Sequence, residues 1–483
     1  MKISQIFGLD KTQYELDFVD INVDRDTPLF LDPYYISVRN DSWSVNATRT
    51  IQSFFQHIIT LINAGSADEA RGTFDHLGEP NETCLGLSKG LPGGRGIGDV
   101  QASAIFDSIL GSHAVQSGLV EDLEDCRLFV EGIDKDKISD MTTNIIRGQL
   151  IEYTQQQAEL YGIPLQQGVV SGFFWNRNNR QWENSHTKML LVGSRTILLV
   201  PKSAVSYSTH YSSYQYHQHF VLNFLKHEHL RMGSALVKWR RPKKGAETPY
   251  VNKIDIKETE APLTKEYLRT FTLAHPAVFA EFRDQVRGKI KTVTNSDLTD
   301  VELGEVVGYL LEHLNAIPTG RDAATAYHRL MVGILELVFF PQLTCPQVER
   351  KINEGRKRID ITFDNAADKG FFFRIHQTHQ LPASFIMVEC KNYDGDPRNP
   401  ELDQLAGRFA ANRGRVGLLV CRRIKDMELF QARCRDTYRA GNGLIIPLID
   451  VDFTGALKGL LEDNKVDVMD SLLLNRFREI ALG

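Results

Sequence analysis

The sequence predicts an α/β fold in which a C-terminal αβββαβ core follows a separate, mixed α/β N-terminal domain. The chain has 483 residues, which is more than a single hydrophobic core usually supports. Its composition, 42% hydrophobic and 24% charged, is that of an ordinary soluble globular protein. Towards the C-terminus, helical and strand-like apolar patterns alternate regularly, which is typical of layered α/β domains.

Composition also limits the classes of function. The formal net charge of -5 excludes a generally polycationic protein, so any surface for nucleic acid has to be a local patch. The six cysteines are scattered and form no C-x-x-C pair, so we expect no structural zinc site and a reducing compartment. The N-terminus lacks a signal-peptide core, and no apolar run reaches the roughly 18 residues of a membrane helix. We therefore expect a cytoplasmic protein without a membrane partner.

Residues 1–240 are predicted to form a mixed α/β domain whose role is open between regulation, sensing and target recognition. A long helix is expected to begin near Ser139, a favourable N-cap, and to run past Tyr153. Short apolar runs predict strands at 28–31, 127–130 and 196–200. The glycine-rich segment 90–98 has the spacing of neither phosphate-binding loop, so we interpret it as a flexible loop and expect no ATP site in this chain.

Residues 241–320 are predicted to be a connector with helices. The run 240–245 is basic and contains both Pro and Gly, as exposed domain boundaries do. This basic run also has the charge to touch a nucleic-acid backbone, although a plain linker explains it without any partner. Either interpretation places the run on the surface.

The C-terminal domain, 321–483, begins with a helix pattern that ends before Pro341. Its apolar stripe at helical spacing is Tyr327, Leu330, Met331, Ile334 and Val338. A charged hairpin is expected at 347–356. The run 358–364 alternates polar and apolar residues, as a strand with one open face does, and 385–388 is a continuous apolar run typical of a central strand. A helix beginning at Asn399-Pro400 and strands at 416–420 and 444–446 complete the order.

Chemistry-bearing residues follow two of these strands. Glu389 and Lys391 are two apart, so both side chains leave the same face of their strand. Asp360 lies on the polar face of the alternating strand, so two carboxylates and an ammonium converge if the two strands are neighbours. Carboxylates are the ligands that Mg²⁺ prefers, and a lysine beside the ion can stabilise charge in a transition state.

The pattern of Asp360 followed by Glu389-Cys390-Lys391 resembles the PD-(D/E)XK, or restriction-endonuclease-like, nuclease superfamily. The resemblance covers roughly residues 320–450, and Ile359 replaces the proline of the motif. It implies that Asp360 and Glu389 are metal ligands, that the carbonyl of Cys390 faces the metal, and that Lys391 is the catalytic lysine. It also implies Mg²⁺ as cofactor, with Mn²⁺ able to substitute.

Two further site residues are implied by the same resemblance. Glu336, on the preceding helix, matches an accessory acidic position, and Gln404, on the following helix, matches a polar position that lines the site. Nucleases of this kind with an unrelated N-terminal half resemble prokaryotic restriction or anti-phage defence effectors, by fold-level analogy. They often act as homo-oligomers, so a homo-oligomer is expected.

A local basic excess accompanies the motif. Between positions 405 and 438 there are eight basic and three acidic residues, which suits contacts with phosphates. We select Arg408, Arg413 and Arg415 as candidate nucleic-acid-binding residues. A solvated helix face is the competing interpretation.

The sequence thus predicts a Mg²⁺-dependent endonuclease that hydrolyses phosphodiester bonds of DNA, with RNA left open as a substrate. The alternative is a catalytically inert protein of nuclease fold that binds nucleic acid as a sensor. A lone acidic-x-lysine strand end is also compatible with a simple solvated rim.

Overall fold

The computed structural model describes residues 1–78, 80–86, 106–110, 123–207, 211–240, 247–287, 293–348, 360–462 and 468–483. The described α-helices with defined bounds are α1 (Ile3–Ile6), α2 (Pro33–Ser37), α3 (Ser42–Asn63), α4 (Ala67–Gly72), α5 (Cys126–Phe129), α6 (Lys135–Ile145), α7 (Arg147–Tyr161), α8 (Ser213–Tyr216), α9 (Leu222–Met232), α10 (Lys253–Thr259), α11 (Lys265–Ala274), α12 (Pro276–Arg287), α13 (Asn295–Leu298), α14 (Leu303–Ala316), α15 (Ala324–Phe339), α16 (Gly370–Phe373), α17 (Asn399–Ala406), α18 (Met427–Arg439), α19 (Asp450–Gly459) and α20 (Val468–Leu482).

The strands are mostly short outside the C-terminal region. They are β1 (Phe30–Leu31), β2 (Gln166–Val170), β3 (Phe174–Asn176), β4 (Gln181–Glu183), β5 (His186–Val192), β6 (Arg195–Ile197), β7 (Val205–Ser206), β8 (Lys238–Arg240), β9 (Thr248–Tyr250), β10 (Leu343–Val348), β11 (Asp360–Asn365), β12 (Phe385–Lys391), β13 (Val416–Cys421) and β14 (Leu444–Ile449). The chain is therefore a mixed α/β protein with several sheets.

The C-terminal sheet has five strands in the order β10-β11-β12-β13-β14. The pairs β10/β11 and β11/β12 are antiparallel, whereas β12/β13 and β13/β14 are parallel. Helices α17 and α18 make the crossovers that parallel neighbours require. The predicted apolar strand after position 385 is therefore the central strand, β12, as expected.

The predicted helix before Pro341 is also confirmed as α15. Tyr327, Met331 and Ile334 are fully buried there, because this helix packs on the sheet and also meets the N-terminal part of the chain. Along the chain, α15 is followed by β10, β11, α16, β12, α17 and β13.

Two predictions about the N-terminal region were wrong. Residues 127–130 belong mainly to a helix, Cys126–Phe129, since a short apolar run alone cannot distinguish a strand from a buried helix. The long helix is broken at Ile146 and begins earlier, at the N-cap Asp134, whose side chain accepts from the Lys137 amide. Ser139 instead accepts a hydrogen bond from the Leu31 amide at 3.0 Å. The glycine-rich run 90–98 and the turn of the predicted hairpin lie outside the described residues.

Two large hydrophobic cores organise the molecule. The first contains buried residues from Ile3 to Val293 together with Cys345, and the second contains Tyr14 and buried residues from Val306 to Ile480. The predicted connector is therefore divided between the cores. Of its helices, α11 and α12 pack in the first core and α14 packs in the second. Each helix is amphipathic, so its apolar face has to be covered by one of the two cores.

The two cores meet along what we call the buried seam, formed by Asp17, Asp41, Lys202, Glu336, Cys345 and Asp364. Main-chain donors bridge the seam in both directions: the Trp43 amide donates to Asp364 Oδ2 at 3.0 Å, and the Cys345 amide donates to Asp17 Oδ1 at 3.1 Å. Within the described ranges, no helix is both long and apolar enough to cross a membrane.

Candidate active site

Strand register brings the two predicted metal ligands together. Asp360 is the first residue of β11, and its partner on the antiparallel strand β12 is Glu389. Directly opposed residues of neighbouring strands have Cβ atoms about 4.5–5.5 Å apart. From the sequence alone, the proximity of these two residues depended on their strands being neighbours. The structure shows that the two strands are paired.

Lys391 and Glu389 form a buried ion pair, in which Lys391 Nζ donates to Glu389 Oε1. Glu389 has 0% and Lys391 3% of its surface exposed. The second carboxylate oxygen of Glu389, Oε2, lies 3.2 Å from Arg408 Nη1. The carboxylate is thus held between two cations, and such pairing offsets the high cost of burying a charge.

Gln404, which the family resemblance implies as a residue lining the site, lies next to Lys391. Its Oε1 accepts from Lys391 Nζ at 3.3 Å, so α17 supplies a neutral acceptor that fixes the ammonium. Arg408 follows just beyond the same helix. The predicted surface role of Arg408 needs correction, because its side chain is only 20% exposed and its guanidinium pairs with Glu389.

A third carboxylate, missed in the sequence, belongs to this neighbourhood. Burial opposes ionisation of Glu401, but hydrogen bonds from the Arg398 amide and the Tyr393 hydroxyl, with the charge of Lys391, lower its pKa below the usual range. Glu401 Oε2 accepts from the Arg398 amide at 2.8 Å, in the third position of α17. The capping-box pattern at a helix start is the signal that could have identified it.

The carbonyl of Cys390 has a protein partner. His328 Nε2, on α15, lies 2.9 Å from this oxygen, which ties the helix to the central strand. A carbonyl oxygen has two lone pairs, so the hydrogen bond is compatible with the predicted orientation towards a metal. His328 itself was not predicted, because nothing in its sequence position marks it.

Glu336 is placed in the buried seam and not beside Lys391. Its Oε1 lies 3.1 Å from Lys202 Nζ, and both side chains are completely buried. Glu336 is eight residues beyond His328 on α15, or about 12 Å along the helix axis, which explains its separation from the Glu389 end of β12. Burial and the nearby Asp17, only partly opposed by Lys202, raise the pKa of Glu336 to about 8.

Arg413 and Arg415 are both exposed, as predicted. Arg413 lines a groove of about 580 Å³ between α7 and the sheet. The sheet contributes Thr362 and Met387 to the lining of this groove. These two residues are paired across β11 and β12, two positions from the pair Asp360 and Glu389. Residues two apart on a strand share a face, so the groove lies on the sheet face that carries Glu389.

Comparison with known proteins adds little about chemistry. A family described as a domain of unknown function, DUF8370, matches residues 8–212, which is less than half of the chain. A relative from Escherichia coli (strain K12), described as a putative transposon gamma-delta 80.3 kDa protein, is 23% identical over 171 residues. That match covers 34% of this chain and 24% of the relative, so the chain spans about a quarter of the relative's length. No solved structure matches the chain significantly.

Proposed function

We propose that this chain is a metal-dependent nuclease that hydrolyses phosphodiester bonds of DNA at the Glu389 end of the central strand. The observation that carries the proposal is the register pairing of Asp360 with Glu389, two residues before a buried lysine. The αβββαβ order around it supports the resemblance to PD-(D/E)XK nucleases. In this proposal Asp360 and Glu389 hold the metal, and Lys391 acts on the scissile phosphate.

The residues present fit Mg²⁺. Glu389 offers hard carboxylate oxygens, the donors that Mg²⁺ prefers, and a bound ion would share them with Lys391 and Arg408. Bound there, the ion would supply a Lewis acid and a water of lowered pKa. The carbonyl of Cys390 and Glu401 are further oxygen donors in the same neighbourhood.

The chain's own side chains would divide the remaining work. Lys391, fixed by Gln404, would hold an ammonium where charge develops on the phosphate. Arg408 would balance the charge of the buried Glu389 carboxylate. Arg413, at the groove on the same face, would contact the backbone of the nucleic acid.

The substrate and the biological setting follow less directly. We propose DNA because the relative from Escherichia coli is named as a transposon protein, and we propose a role as a prokaryotic restriction or defence effector on fold-level analogy. The region matched by DUF8370 would then control which DNA is cut, or when, and a homo-oligomer would cut both strands.

The proposal is tested by incubating plasmid, linear duplex, single-stranded DNA and RNA with the full chain and Mg²⁺, Mn²⁺ or EDTA. We expect nicking of DNA with either metal and none with EDTA. Asp360→Asn and Glu389→Gln should each lower the rate by about 10²-fold or more, since each replaces a metal ligand. Asp394→Asn is the matched control, because this carboxylate is 63% exposed and pairs only at the surface with Arg423.

A second candidate function is favoured by one observation. Glu389 is fully buried between Lys391 and Arg408, so the site resembles one in which protein cations have replaced a metal. The protein would then bind nucleic acid without cutting it. A protein–DNA complex in a gel-shift assay, with no metal-dependent cleavage under any condition, would support this alternative.

A further inference from the structure

A second group of metal-ligating side chains lies at the buried seam, away from the candidate active site. Asp41 precedes α3, Cys345 is on β10 and Asp364 is on β11; all three are buried, and their ligand atoms lie within 4.8 Å of one another. Asp364 is four residues beyond Asp360, or about 13 Å along an antiparallel strand. The group is therefore distinct from the Glu389 site.

Strand geometry explains why these three side chains meet. Thr344 is directly opposed to Asp364 in the register, and a register shift follows between Thr344 and Gln347. A bulge of this kind can direct two successive side chains to one face of a strand. Cys345 has a positive φ of 51°, a conformation that non-glycine residues adopt mainly where the surroundings over-determine it.

The hydroxyl of Thr344 is a second, independent indication of a ligand. Thr344 is 0% exposed, and its Oγ1 has no hydrogen-bond partner among the described residues. Its position opposite Asp364 places this hydroxyl on the same sheet face as that carboxylate. A buried hydroxyl without a partner is costly, and a cation beside Asp364 would give its lone pairs a partner.

The protein partners of the two carboxylates leave coordination capacity. Asp41 Oδ1 accepts from the Ser44 amide at 2.9 Å, and its Oδ2 accepts from Arg39 Nε at 3.0 Å. Asp364 Oδ2 accepts from the Trp43 amide at 3.0 Å. A carboxylate has about four acceptor positions, so each can also bind a metal while it orders the start of α3.

Charge balance favours a divalent cation. Asp41, Asp364 and a Cys345 thiolate carry three negative charges, and Arg39 pairs with Asp41. Adding a divalent ion makes the group neutral. Without one, bound protons would have to neutralise the buried carboxylates and the thiol.

We propose that Asp41, Cys345 and Asp364 bind a zinc ion, with the Thr344 hydroxyl as a neutral neighbour, and that this ion fastens α3 to the edge of the C-terminal sheet. A thiolate ligand selects zinc over magnesium, so the site is chemically separate from the proposed Mg²⁺ site. It joins the first hydrophobic core to the second, and it does so whether or not the chain cleaves DNA.

The test measures metal in the full-length chain, in an Asp360→Asn background that removes the proposed active-site ligand. After zinc reconstitution and dialysis, we expect about one zinc ion per chain, because a buried thiolate beside two carboxylates supplies ligands that zinc prefers. Cobalt reconstitution should give the near-ultraviolet sulfur-to-cobalt absorption of a thiolate complex. Cys345→Ser and Asp364→Asn should lose both signals, whereas Cys434→Ser, another fully buried free cysteine, should keep them.

Two results would overturn the proposal. The first is an Asp360→Asn protein that binds no stoichiometric zinc and shows no thiolate–cobalt band, which would mean that protons neutralise the seam. The second is unchanged zinc content in both Cys345→Ser and Asp364→Asn. If either variant fails to fold, the cobalt spectrum of the Asp360→Asn protein decides alone. Loss of DNA cleavage is no readout here, so failure of the nuclease proposal leaves the result intact.

Discussion

The buried carboxylate of Glu389 is the residue that connects the two cations of the candidate site. It is fully buried, and its two oxygens face Lys391 and Arg408. Removing one partner of a buried ion pair typically costs about 3–5 kcal/mol, because the other charge stays uncompensated. Substitutions here therefore have to separate a loss of chemistry from a loss of folding.

Lys391 is the residue at which nuclease and inert interpretations differ most. Lys391→Ala should lower the single-turnover rate by about 10²-fold or more with a much smaller change in DNA affinity, because its ammonium would act mainly in the transition state. Lys391→Arg should rescue poorly, since a planar guanidinium cannot place a point charge in the same position. Lys425→Ala, at an exposed lysine of the same domain, is the control.

Folding of each Lys391 variant has to be checked by circular dichroism and urea unfolding. Metal binding measured by calorimetry should survive, because Asp360 and Glu389 remain. A rate for a folded Lys391→Ala protein within about twofold of wild type would contradict the proposed mechanism.

Glu336 predicts a pH dependence of stability. Burial and the nearby Asp17 raise its pKa to about 8 in spite of Lys202, above the ordinary value of 4.5. The folded chain therefore binds this proton more tightly than the unfolded chain. Its stabilising contribution is complete below about pH 4.5 and is lost as the pH rises towards 8.

The corresponding measurement is the urea midpoint between pH 5 and 8, the interval in which Glu336 is ionised in the unfolded chain but keeps its proton in the folded chain. Wild type should lose stability over this interval more steeply than Glu336→Gln, which cannot ionise. The groups that face Glu336 stay unchanged in this variant; they are Asp17, Lys202, Tyr153 and Tyr161. Equal slopes for the two proteins would show that Glu336 is ionised throughout.

At the scale of elements, the C-terminal sheet was predictable because its signals are local. The apolar run before Glu389, the alternation after Asp360 and the stripe of α15 each specify one element from its own residues. The position of α5 and the break at Ile146 were not predictable. Apolar runs of four residues are ambiguous, and Thr142 and Thr143, which donate to the carbonyls of Ile138 and Ser139, mark the end of α6 only once it has formed.

The residues of the candidate site were also only partly predictable from the sequence. Glu389 and Lys391 lie two apart on one strand, so their spacing was enough to place them on the same face, whereas Gln404 was implied only by the family resemblance. Glu336 could not be placed, since its neighbours Lys202 and Asp17 come from distant parts of the chain. No local pattern records an interaction of that kind.

The groove beside the sheet gives a prediction at this scale. Replacing both Arg413 and Arg415 by Ala should weaken DNA binding and reduce the log–log salt slope by roughly 0.9 for each phosphate that the protein no longer neutralises. Arg408 is left out of this set because it is bound to Glu389. Arg439→Ala, an exposed arginine that donates to the carbonyl of Gly483, controls for a general loss of charge. An unchanged slope in the double variant would show that these arginines face away from the DNA.

For the whole molecule, the buried seam determines whether the two halves can be separated. The sequence alone suggests that a chain beginning near residue 250 should fold by itself, since every motif element lies beyond that point. The two hydrophobic cores instead change over between Val293 and Val306. Strand β10 packs on α7, and Gln157 Nε2 donates to the carbonyl of Pro346 at 2.9 Å.

We therefore expect residues 299–483 alone to be insoluble or to melt well below the full chain. Separation would expose Glu336, Cys345 and Asp364, all of which are buried in the intact protein, and would remove Lys202 from Glu336. Coexpression of 1–298 with 299–483 should restore a stable complex, because the seam then forms between two chains. Size-exclusion chromatography and thermal unfolding of both preparations measure the stability of the fragment and of the complex.

If 299–483 alone is monodisperse and melts like the full chain, the seam does not stabilise the C-terminal domain, and this domain folds independently. If it is stable and cuts DNA without discrimination, the N-terminal half restrains an autonomous nuclease.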